Sequence, residues 1–73
     1  MEYKYTTTDN REILLSFEHN QGYSLKVSQI SLEGVEMHSA TNIYGYGYTG
    51  FKQAKNAFES VSGVKLSSLF KVV

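Results

Sequence analysis

The chain contains neither cysteine nor proline. Without cysteine there is no disulfide framework and no thiolate metal site. Without proline the usual markers of linkers and edge strands are missing as well. No apolar run approaches the ~20 residues that a membrane span requires. The opening Met1-Glu2-Tyr3-Lys4-Tyr5 lacks the basic start and apolar stretch of a secretory signal. These absences lead us to expect a cytoplasmic protein that stays away from membranes. Charge of one sign is lacking too. Seven basic residues balance seven acidic ones, so there is no basic surplus of the kind nucleic-acid binders carry. The balance is uneven along the chain, at −3 over residues 1–37 and +3 over residues 38–73.

Seventy-three residues make one domain, residues 1–73, and leave no room for a second. A chain this short buries only about 60% of its unfolded surface, so it needs a well-packed core or a second copy of itself. It is well supplied with aromatic side chains, six tyrosines and four phenylalanines. Each buries about 150–250 Å² when packed, and tyrosine hydroxyls also want water or a partner. A homodimer is therefore one structural expectation.

Alternation of apolar and polar residues dominates the first half. Tyr3 and Tyr5 alternate with Glu2, Lys4 and Thr6. Ile13, Leu15 and Phe17 share one face of a second strand, with Leu14 the exception. Tyr23, Leu25 and Val27 share one face of a third. Thr8-Asp9-Asn10, His19-Asn20-Gln21-Gly22 and Glu33-Gly34 read as the turns between them. The apolar phase moves by one residue before Ile30 and Leu32, which predicts a bulge near Ser28-Gln29. A fourth strand begins with Val35, Met37, Ser39, Thr41 and Ile43 on one face, and Glu36, His38, Ala40 and Asn42 on a wetter one.

The period then changes. Phe51, Ala54, Phe58 and Val61 form one helical stripe, with Thr49 as expected N-cap and Gly63 as C-terminal stop. Leu66 packs in the connection, and Leu69, Phe70, Val72 and Val73 read as a last strand from about Ser68. The expected fold is α+β, ordered β-β-β-β-α-β, with a mostly antiparallel sheet and one helix packed on one face. Consecutive strands usually neighbour each other, which favours a meander.

The most conspicuous motif is Gly45-Tyr46-Gly47-Tyr48-Thr49-Gly50, which has the glycine spacing of a dinucleotide-binding loop between a strand and a helix. The surroundings do not fit. The strand before it is too polar to be a buried parallel strand, and no acidic residue follows Glu59 to hold a ribose. We read the glycines as sites where larger side chains would clash, and expect no cofactor. The backbone N–H groups near Gly50, with Lys52 in the first turn, could hold only a generic anion. His19, His38 and Glu36 have no metal-ligand spacing, and no nucleophile elbow is present. Ser60-Val61-Ser62-Gly63 reads as a helix end. We expect no metal and no catalysis.

What remains are the tyrosines. If residues 44–48 are extended, Tyr44, Tyr46 and Tyr48 line one face at a period of two, close to Lys52 and Lys55. Such a row suits the centre of a protein interface. A tyrosine row beside lysines can also stack single-stranded bases, the less favoured of the two binding readings. It could also just cover the sheet. Lys55 and Glu59 are spaced for an i,i+4 pair. The expected function is a non-catalytic protein-interaction module with a protein partner, of the inhibitory or regulatory kind that phages and mobile elements encode. The alternatives are a nucleic-acid binder using Tyr44, Tyr46 and Tyr48 with Lys52 and Lys55, and a structural homo-oligomer joined by the tyrosines or by an open sheet edge.

Overall fold

A computed structural model describes residues 2–68 of the protein. Four strands, β1 (Glu2–Thr6), β2 (Arg11–Glu18), β3 (Gly22–Ile30) and β4 (Glu36–Gly45), are followed by one helix, α1 (Gly47–Ser62). The strands form a single antiparallel sheet in the order β1-β2-β3-β4. This is the expected meander. A 3-10 turn, Leu66–Ser68, closes the described chain. The last strand expected from about Ser68 lies outside the described residues.

Register explains which residues are buried. Tyr3 pairs with Leu15 and Tyr5 with Ile13, while Ile13 pairs with Val27 and Leu15 with Leu25. Because strand side chains alternate, all of these project from one face. The helix lays Ala54 and Phe58 on that face, and Leu66 returns from the chain beyond it to complete the core. Burying a side chain such as Ile13, Leu15 or Phe58 contributes about 1.5–3 kcal/mol. Val61, expected on the same stripe, is partly exposed near the helix end.

The other face of the sheet is mostly polar, as antiparallel sheets permit, with Ser24 and Ser28 buried among its longer side chains. Ser16 and Ser24 share a hydrogen bond of 3.2 Å there. Lys4 pairs with Glu12, and Lys26 pairs with Glu36 at 3.0 Å. Leu14, the exception to the pattern of β2, sits on this face and is half-buried.

The turns follow their local chemistry. At the first, the Thr7 hydroxyl bonds the Asp9 carboxylate and also accepts the Arg11 N–H, and Asn10 takes a left-handed conformation (φ 64°). At the third, the Ser31 N–H donates to the Val35 carbonyl, with Gly34 at φ 85°. The bulge lies close to the expected place but on the partner strand. Gln29 pairs with His38 and Ile30 with Glu36, so Met37 is the extra residue. The apparent phase change at Leu32 has another cause, since Leu32 lies in the turn and is almost fully exposed.

One boundary expectation is corrected. The helix begins at Gly47, with Tyr46 rather than Thr49 as N-cap and without a side-chain cap. Its C-terminus is as expected. Gly63 adopts a left-handed conformation and donates its N–H to the Glu59 carbonyl at 2.9 Å.

Candidate interaction surface at the helix start

The chain turns from β4 into α1 within two residues, and glycines make this possible. Gly45 and Gly47, on either side of Tyr46, have φ of 87° and 75°, which side chains disfavour. Two further glycines crowd the Gly45 carbonyl. A Cβ on Gly50 would lie 2.5 Å from that oxygen, and one on Gly22 would lie 2.3 Å from it. The first turn of the helix, the start of β3 and the end of β4 therefore meet backbone to backbone. Within the motif the expected clash holds for Gly50 alone; Gly45 and Gly47 have open space where a side chain would start, and it is their positive φ that calls for glycine.

The same turn separates the three tyrosines. Residues 44–48 are not extended, so the shared face expected of Tyr44, Tyr46 and Tyr48 does not form. Tyr44 ends β4 half-buried against the core. Tyr46 folds back over the β2–β3 turn, where its hydroxyl donates a 2.6 Å hydrogen bond to the His19 carbonyl. Its ring meets Phe17 edge-on at 6.1 Å. Phe17 in turn packs on His19 and Tyr23, and Tyr23 packs on Phe51 of the helix at 5.3 Å. Tyr48 stands in the first turn of the helix and is 76% exposed.

Tyr48, Lys52 and Lys55 fall at i, i+4 and i+7, so they form one stripe along a flank of the helix. Tyr48 and Lys52 are exposed and Lys55 is half-buried. No carboxylate of the described residues lies within ion-pair distance of either lysine. The Lys55–Glu59 pair allowed by the spacing is not formed. The Glu59 carboxylate instead accepts the Leu66 N–H at 2.8 Å, tying the chain after the helix back onto it.

The expected site residues thus divide by location. Tyr46, Tyr48, Lys52 and Lys55 surround the start of the helix, while Tyr44 belongs largely to the interior. Sequence reasoning missed Phe17, His19, Tyr23 and Phe51 as the support for Tyr46. The signal was present in the register, because Gly22 pairs with Gly45 and so brings the β2–β3 turn beside the end of β4.

The groups singled out for titration chemistry are scattered. His19 lies in the β2–β3 turn and His38 on β4. Glu36 was expected to share a face with His38. The bulge at Met37 instead turns it to the open face, where it binds Lys26 and accepts a 3.1 Å hydrogen bond from Ser28. Those two partners, Lys26 first, hold the Glu36 carboxyl below its ordinary value of 4.5. Asp9 is held below 3.8, by the Thr7 hydroxyl first and by Arg11. Among the described residues no three metal-ligating side chains come together, and no helix is long and apolar enough to cross a membrane. Comparison with known proteins finds no family model, curated protein or solved structure that matches this chain.

Proposed function

We propose that this domain is a non-catalytic protein-interaction module acting in the cytoplasm, an inhibitor or regulator of the class that phages and mobile elements encode. Its contact surface is the start of α1, with Tyr48 and Lys52 outermost and Tyr46 and Lys55 beside them. The observation that carries this reading is the anchoring of Tyr46 by the His19 carbonyl and the Phe17 ring, next to a Tyr48 that is 76% exposed. A surface already fixed by its own fold loses little freedom on binding, and exposed tyrosines are common interface anchors. Two lysines without a carboxylate partner among the described residues call for an acidic rim on the partner, which is therefore a protein surface combining an apolar centre with Asp or Glu around it.

The test is to immobilise the protein and a Tyr48→Ala, Lys52→Ala double variant and pass host extract over both. Both replaced residues are exposed, so the variant keeps its fold by circular dichroism. The expected result is one stoichiometric host protein held by the parent and lost from the variant. Equal capture by both would move the contact elsewhere. If the parent instead bound a single-stranded oligonucleotide with steep salt dependence, the nucleic-acid alternative would replace this one.

A further inference from the structure

The sheet has two edges of contrasting character. β1 is five residues long and carries Glu2 and Lys4, the short charged edge that resists pairing with another strand. β4 is ten residues long, and residues 36–43 are all exposed. The chain has no Asp, Glu, Lys or Arg between Glu36 and Lys52, and it has no proline. The one charge on this strand is directed inward, because Glu36 pairs with Lys26 on β3. Irregularities at Met37 and at Tyr44 bound the strand, and between them the usual protections of an edge strand are missing from β4.

We propose that β4 pairs with β4 of a second copy of the chain, antiparallel over residues 37–43, about a two-fold axis through Ala40. This goes beyond the reading above, since it uses a surface separate from the helix start. The side chains select the register. Met37 and Ile43 are 65% and 57% exposed and project from the same open face of the sheet. Centring the pair on Ala40 sets each Met37 opposite the partner's Ile43. It also sets His38 opposite the partner's Asn42, and Ser39 opposite the partner's Thr41. The smallest side chain of the set lies on the axis, opposite its own copy. Cross-strand apolar pairs and hydroxyl pairs of this kind stabilise a sheet.

Charge complementarity selects the partner. An uncharged edge is matched by an uncharged strand, and among the described residues the long uncharged strand segment is 37–43 of β4. Pairing with β1 would set Glu2 and Lys4 against residues without charge. A two-fold axis perpendicular to the sheet keeps both helices on one face, so four strands from each copy form one continuous sheet. The contact is isologous and closes on itself, which stops growth at two copies. An edge contact of this size falls at the small end of interfaces, below about 1,200 Å² in total, so association depends on concentration.

The test uses solution mass across micromolar to millimolar protein. The parent is expected to rise from 8.2 kDa toward twice that mass. Ala40→Lys and Ala40→Glu each set like charges across the axis, and each is expected to weaken association about tenfold or more. An equimolar mixture of the two variants is expected to recover it. A parent that stays at 8.2 kDa, or an Ala40→Lys variant that associates as well as the parent, would overturn the proposal. A second measurement avoids charge altogether. In this cysteine-free chain, Ala40→Cys would put two thiols on residues whose Cα atoms lie about 4.5–5.5 Å apart across the pair, within disulfide reach. With oxidised glutathione it should cross-link at least about tenfold faster than the exposed helix variant Ser60→Cys. Equal rates would also reject the pairing.

Discussion

The carbonyl oxygen of Gly45 occupies the space that a side chain on Gly50 would need, 2.5 Å from the position of its Cβ. The helix can begin two residues after the strand ends only because nothing projects from Gly50. The obstacle is backbone, which cannot rotate aside as a flexible side chain can. Gly50→Ala is therefore expected to destabilise the domain by about 1–3 kcal/mol, the usual range for overpacking. Urea denaturation measures this directly. A variant as stable as the parent would mean that the strand and helix can separate at no cost.

Tyr46 combines a fold role with its proposed surface role, and the two can be separated. Tyr46→Phe removes the hydrogen bond to the His19 carbonyl while keeping the ring against Phe17. Tyr46 is 55% exposed, so water replaces much of what is lost. The expected destabilisation is about 0.5 kcal/mol, the low end for a hydrogen bond. Tyr46→Ala also removes the ring contact and is expected to cost more. Denaturation midpoints of the two variants give the comparison. Equal losses would show that the ring contributes nothing.

The acid limb of stability is expected to depend on Glu36 and Asp9. Both carboxyls titrate below their ordinary values in the folded chain, Glu36 chiefly through Lys26 and Asp9 chiefly through Thr7. On acidification the unfolded chain takes up these protons first. The stabilisation is complete above the ordinary values of 4.5 and 3.8, and it is lost as pH falls through the lower folded-state values. Glu36→Gln should lower stability at neutral pH and flatten the decline below pH 4.5. Denaturation midpoints followed from pH 7 to pH 3 check both signs. A decline as steep as that of the parent would assign the effect to other groups.

The legible parts of this fold were those governed by a simple period. Ile13, Leu15, Leu25, Ala54 and Phe58 lie in the core because strand and helix spacing place them there. β4 was harder to read, because alternation marks the faces of a strand and says nothing about how far a helix covers it. Residues 36–43 are exposed on both sides, since the helix leaves the sheet at the other end of that strand. Thr49 has the right chemistry for an N-cap, yet the packing of Gly50 on Gly45 starts the helix earlier. The tyrosines were misplaced for the same reason. Their period of two presumes an extended chain, and positive φ at Gly45 and Gly47 breaks it. Glu59 had two available partners, and sequence spacing favoured Lys55. The structure uses the Leu66 N–H, which would otherwise lose its hydrogen bond where Leu66 enters the core.

Among the described residues each strand bonds only to its neighbours in sequence, and this has a kinetic consequence. Every hairpin closes over a short loop, so the entropy lost in forming the sheet is spread over small local steps. The β2–β3 hairpin is the natural seed, since it pairs without a register shift from Arg11–Gln29 to Glu18–Gly22 and aligns Ile13 and Leu15 with Val27 and Leu25. β1 and β4 can then add on either side in any order. A sheet wired this way should fold faster than a β-sandwich of similar stability, whose strands must find partners far along the chain.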